Sequence, residues 1–149
     1  MSSLATTLND VYAALYRTKD VYNYVVREME NASRHTQFFG ASVDQFKTFE
    51  LEIQQCLKRQ QLPIESKIGM TDEALRKISL HLSALTGDRD HHLLSEALNQ
   101  TSKLITAYER VPDSGDSATD ELIGGHLQYL RTAYDRLHEM HEFRKRAIE

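Results

Sequence analysis

A chain of 149 residues with 40% apolar and 27% charged side chains suits one soluble globular domain spanning residues 1–149. The formal charge of −4 offers no basic stripe for nucleic acid, and the one dense basic run, RKR at 144–146, suits the last turn of a helix. No apolar run approaches the roughly 18 residues that cross a bilayer, the N-terminus MSSLATTLND lacks a signal-peptide pattern, and a lone Cys56 fits a reducing compartment, so a cytoplasmic protein without membrane partners is expected.

With two prolines, both in short polar breaks, and no run of alternating β-branched residues, the chain reads as all-α. The first helix is expected over 4–32, where Leu4, Leu8, Val11, Leu15, Thr18, Tyr22, Val25 and Met29 repeat at alternating spacings of four and three. The second is expected over 36–61, with Phe39, Val43, Phe46, Ile53 and Leu57 inward, Phe38, Phe49 and Cys56 widening the stripe, and Gly40 weakening its first turns. Pro63 ends it. Thr71 and the acids after it start a shorter helix over 72–85, carrying Leu75, Ile78, Leu82 and Leu85 and closed by Gly87.

A third long helix is expected over 89–110, through Leu94, Leu98, Thr101, Ile105 and Tyr108. After the loop VPDSGDSATD a fourth runs over 117–146 on Ile123, Leu127, Leu130, Tyr134 and Leu137. Four long helices with a short extra helix in the crossover between the second and third make a four-helix bundle wired in the ferritin-like way.

The segments LND at 8–10, KD at 19–20, GDRDHHLLSEAL at 87–98 and AYE at 107–109, with Gln128 and Asp135 in the last helix, resemble an uncharacterised bacterial family of ferritin-like bundles. The resemblance covers nearly the whole length and implies the same bundle, with no activity to carry over. Two departures bear on metal binding. An acidic stretch of the third helix reads LNQTS here, at 98–102, and Tyr134 stands at a position that carries histidine in the family.

Ferritin-like oxidases hold two metal ions with a Glu from each of two helices and a Glu-x-x-His pair from each of the others. This chain has no Glu-x-x-His; the nearest substitutes are Asp88-Arg-Asp-His91 and Asp135-Arg-Leu-His138. At about 100° per residue, Asp20 and Glu96 face outward, Asp135 faces water, and His138 lies at an edge. Glu50 alone falls on a seam, among three phenylalanines. It is expected to snorkel or to bond a tyrosine hydroxyl such as that of Tyr22 or Tyr134. A hemerythrin-like His-x-x-x-Glu occurs at His92 and Glu96, but its companion ligands are missing.

No Gly-rich phosphate loop, GxSxG elbow or Cys/His zinc pattern is present, and neither a catalytic residue nor a cofactor is expected. Tyr12, Tyr16 and Tyr24 lie at or beyond the edge of the first stripe. They either pack under the connection at 62–70 or form a partner surface. The leading expectation is a non-catalytic bundle acting through protein contacts, as a homo-oligomer or with another protein. The alternative is a metal-binding or oxidase-like protein with an irregular ligand set of Glu50, His138 and His141.

Overall fold

One inward stripe per helix, spaced alternately four and three residues apart, organises the protein. A computed structural model describes residues 3–29, 33–65, 77 and 89–148. Four long helices account for nearly all of them: α1 (Leu4–Glu28), α2 (Ser33–Arg59), α3 (Arg89–Glu109) and α4 (Ser117–Ile148). The short helix expected at 72–85 lies outside the described residues, Lys77 excepted.

The helix ends follow from local hydrogen bonding. Ser3 caps α1, its Oγ accepting from the Thr6 amide at 3.1 Å. The helix stops at Glu28 rather than near 32, because Met29 turns to extended backbone while its amide still bonds the Val25 carbonyl. In α2, Gly40 does not delay the start, which lies at Ser33. That helix closes where the Leu62 amide reaches back to the Leu57 carbonyl at 2.8 Å, with Gln61 in the left-handed region (φ 57°). Asp116 heads α4. The Thr119 hydroxyl donates to its Oδ2 at 2.7 Å, and this bond, with the Arg59 guanidinium beside it, holds the carboxyl below its usual range.

Helices that pack side by side run antiparallel, as the side-chain pairs require. Arg89, at the start of α3, pairs with Glu28 at the end of α1, and Asn9 near the start of α1 bonds the Pro63 carbonyl just past α2. Hence α1 and α4 run one way and α2 and α3 the other, so the chain between Arg59 and Arg89 joins opposite ends of the bundle. Close backbone packing joins α1 to α2, α1 to α3, and α3 to α4, while α2 and α4 meet mainly through side chains.

The stripes of α1 and α2 lie where their spacing places them, with Leu8, Val11, Leu15, Val25, Phe39, Phe46, Ile53 and Leu57 buried. Those of α3 and α4 bury Leu94, Thr101, Tyr108, Ile123, Leu130 and Leu137 as expected but differ at the positions between them. Leu94, Ala97, Thr101, Leu104 and Tyr108 face inward on α3, leaving Leu98 and Ile105 half-buried. On α4 the inward set is Thr119, Ile123, His126, Leu130, Ala133 and Leu137, and the expected Leu127 and Tyr134 lie at the edge. Small and polar residues occupy the axis there because the neighbouring helices fill the centre with rings. Tyr22 packs against Phe39 and Phe46, with ring centroids 4.9 and 5.1 Å away.

Phe46 is fully buried in that ring cluster. Phe46→Ala should lower the unfolding free energy in urea by about 3–5 kcal/mol, whereas a loss below about 1 kcal/mol is incompatible with this face of α2.

Candidate functional site

Glu50 sits on the α2 stripe between Phe46 and Ile53 and is only 6% exposed. A carboxylate there needs a counter-charge, and Lys19 of α1 supplies it. The Lys19 Nζ lies 2.8 Å from Oε1 and donates to Oε2 at 3.2 Å. It also stands 4.3 Å from the centre of the Tyr16 ring, a cation–π contact. The expected tyrosine-hydroxyl partner for Glu50 is therefore corrected to an ammonium, placed where a cation ligand would otherwise neutralise the acid.

One level along α2, a second polar group crosses three helices. The Tyr108 hydroxyl of α3 and Nδ1 of His126 on α4 are 2.7 Å apart, and His126 Nε2 lies 3.3 Å from Glu52 Oε1 on α2. A carboxylate only accepts, so Nε2 carries the imidazole proton and Nδ1 accepts from Tyr108. Phe49 stacks on the imidazole at 3.7 Å between ring centres. Burial lowers the pKa of His126, partly opposed by Glu52, and burial likewise raises that of Tyr108 well above its ordinary value. His126 is thus neutral, with both nitrogens engaged and its face covered, and is set up to link helices rather than to take a proton from a substrate.

His126 did not stand out in the sequence as a site residue. The signal was present, since Thr119, Ile123, His126, Leu130, Ala133 and Leu137 repeat the four-and-three spacing of the first helix. Towards the centre, the Tyr22 and Thr101 hydroxyls bond one another, and Thr101 donates to the Ala97 carbonyl at 2.7 Å. Burial raises the Tyr22 pKa far above its ordinary value, so this hydroxyl keeps its proton.

The alternative ligand set is not brought together. His126 is level with Phe49 and Glu52 beside Glu50. His138 and His141 follow it by twelve and fifteen residues, roughly 18 and 22 Å at 1.5 Å per residue. His138 has a side chain 56% exposed and stands 3.9 Å from Glu142. His141 lies against α3, with Nε2 2.7 Å from the Ser95 hydroxyl and its ring stacked on His91. Among the described residues no group of three or more His, Cys, Asp or Glu side chains is arranged to hold a metal ion. The centre presents Tyr22, Phe46, Thr101 and Leu130, a donor set that does not fit a di-metal cluster.

The tyrosines proposed as a partner surface belong largely to the interior. Tyr12 and Tyr24 are buried, and the Tyr12 hydroxyl accepts from Gln54 of α2 at 2.7 Å. Tyr16 is half-buried beneath Lys19. Cys56 is a buried core thiol, 3.7 Å from Arg59.

No protein-family model and no curated protein matches the chain. A crystal structure of a protein from Xanthomonas campestris pv. campestris is similar over 97% of this chain and 92% of that one, with a TM-score of 0.63 and 17% identity. At that identity the likeness speaks to the fold. It is an all-helical bundle in which no described helix is long and apolar enough to cross a membrane.

The His126 site implies a pH response of definite sign. Between its lowered native pKa and the unfolded value near 6.5, the unfolded chain binds more protons. Stability from this residue is complete above about pH 6.5 and is lost as the pH falls through that window. In urea titrations at pH 7.5 and 5.5, His126→Gln should show a smaller acid-induced loss than the native protein; an equal or larger loss contradicts a neutral buried imidazole.

Proposed function

We propose that this is a bacterial, cytoplasmic, ferritin-like four-helix bundle that has no catalytic centre and works through protein–protein contacts. The observation that carries this reading is that the polar groups nearest the bundle axis pair with one another. Lys19 neutralises Glu50, Glu52 and Tyr108 occupy both nitrogens of His126, and Thr101 bonds Tyr22. A catalytic group has to meet its substrate within hydrogen-bond reach. Glu50, His126, Tyr22 and Thr101 are buried between helices, and all of these groups are engaged with one another.

The ferritin-like assignment is supported by the direction of the helices. With α2 and α3 parallel, one long crossover of 29 residues (60–88) joins them, as in bundles of that kind. In this reading the crossover contains the short helix expected at 72–85, which lies outside the described residues. The resemblance to the bacterial family in GDRDHHLLSEAL and AYE points the same way. The protein is proposed to act as a homo-oligomer or with another protein.

Elemental analysis and light scattering on untagged protein test the proposal together. The expected outcome is substoichiometric iron and manganese with a mass at least twice the 17.2 kDa of one chain, or a monomer that forms a complex with a defined protein. Stoichiometric iron or manganese that disappears in Glu50→Ala would overturn it in favour of an oxidase-like protein.

A further inference from the structure

Among the described residues, the side of the bundle between α2 and α4 does not close. Phe49, stacked on His126 and edge-to-face with Tyr129, fills its lower part. Above those rings the helices bound an open groove of about 900 Å³ that includes Phe38, Ser42, Tyr129, Arg136, Met140 and Phe143. Along α4 it extends from Tyr129 to Arg146, about 26 Å at 1.5 Å per residue.

Three properties of the groove specify its occupant. Its surface is apolar and unusually exposed, since Phe143 is 72% accessible while Met140 and Phe38 are half-buried beside it. Its charge is opposite to that of the whole protein: among the described residues Arg136, Arg144 and Arg146 line it against one carboxylate, Glu139, on a chain of net charge −4. The Ser42 hydroxyl, on a residue 1% exposed, lines it without a hydrogen-bond partner. Small-molecule sites bury most of their ligand. A trough that leaves Phe143 in solvent suits a rod laid along it.

We propose that this groove receives an acidic amphipathic helix of a partner protein, its apolar side against Phe38, Met140 and Phe143 and its carboxylates against Arg136 and Arg146. The helix completes the open side of the bundle, and its length of roughly 17 residues follows from the 26 Å trough. Electrostatic complementarity sets the choice of partner and the apolar stripe supplies the buried area. This inference rests on the reading that the protein works through protein contacts and names the surface and the class of partner.

The test uses the full chain and two fluorescein-labelled 18-residue peptides with leucines at i, i+3, i+4 and i+7, one filled with glutamate and the other with lysine. Fluorescence anisotropy should show the glutamate peptide binding at least tenfold more tightly than its lysine counterpart. Phe143→Ser and the double variant Arg136→Glu/Arg146→Glu should each weaken it at least tenfold. These side chains are exposed, and an unchanged circular dichroism spectrum and melting midpoint verify the fold. Equal affinity for both peptides, or binding of neither, overturns the proposal. So does saturable binding of dodecanoate or of anionic vesicles without binding of the peptide. If Phe143→Ser instead converts a native dimer to monomer in light scattering, the groove takes a second copy; the partner-helix proposal then falls while the contact reading stands.

Discussion

A buried carboxylate constrains everything around it, and here that carboxylate is Glu50. It occupies a stripe position that apolar residues fill one turn to either side, where an uncompensated charge would cost several kcal/mol. Lys19 is suited to the task because a long flexible side chain, here 13% exposed, can carry its ammonium across the boundary between α1 and α2. The ammonium also rests over Tyr16, so one cation serves both an acid and a ring. The contact fixes the register of the first two helices, since a slip of either by one turn would separate the charges by about 5 Å. It also decides what the bundle centre can do: the acid is already neutralised by the chain itself.

The same logic recurs down the axis. Each stripe carries at least one polar residue that finds a partner across a helix boundary or on its own backbone. Thr18 donates to the Ala14 carbonyl, Tyr22 meets Thr101, and His126 joins α4 to both Tyr108 and Glu52. At the lower end Arg59 reaches from α2 to Thr119 and Asp116. Apolar stripes alone tolerate sliding and rotation, whereas these links are satisfied in one arrangement. Their chemical consequence is that these axial groups are engaged with one another, which leaves the outer surface, and the unclosed side between α2 and α4 in particular, as the place for interactions.

Much of this architecture was legible in the residue order. The stripes of α1 and α2 were read correctly because nearly all their members are large and apolar, and Glu50 stood out against that background. In α3 and α4 the expected Leu94, Thr101, Tyr108, Ile123, Leu130 and Leu137 are buried, and the positions between them differ for the complementary reason. Leu98, Ile105, Leu127 and Tyr134 are apolar but sit at edges, while the true axis includes Ala97, Ala133, Thr119 and His126. Spacing identified the axis, and hydrophobicity pointed one position away from it. Pairings between helices were not legible at all. Lys19 and Glu50 are 31 positions apart and Glu52 and His126 are 74 apart, and no periodicity within a helix encodes which side chain will face it.

The most direct test of the central claim is a double-mutant cycle on the pair, using Lys19→Met, Glu50→Gln and the combined variant, with unfolding free energies from urea titration. If the ammonium neutralises a buried carboxylate, Lys19→Met alone should cost about 3 kcal/mol, because it strands the acid. Glu50→Gln should cost less, since the lysine head can move outward to water. The double variant should recover most of the Lys19→Met loss, giving a coupling of about 2 kcal/mol or more. Additive losses, with no recovery in the double variant, would contradict the account and return Glu50 to the role of a free interior acid.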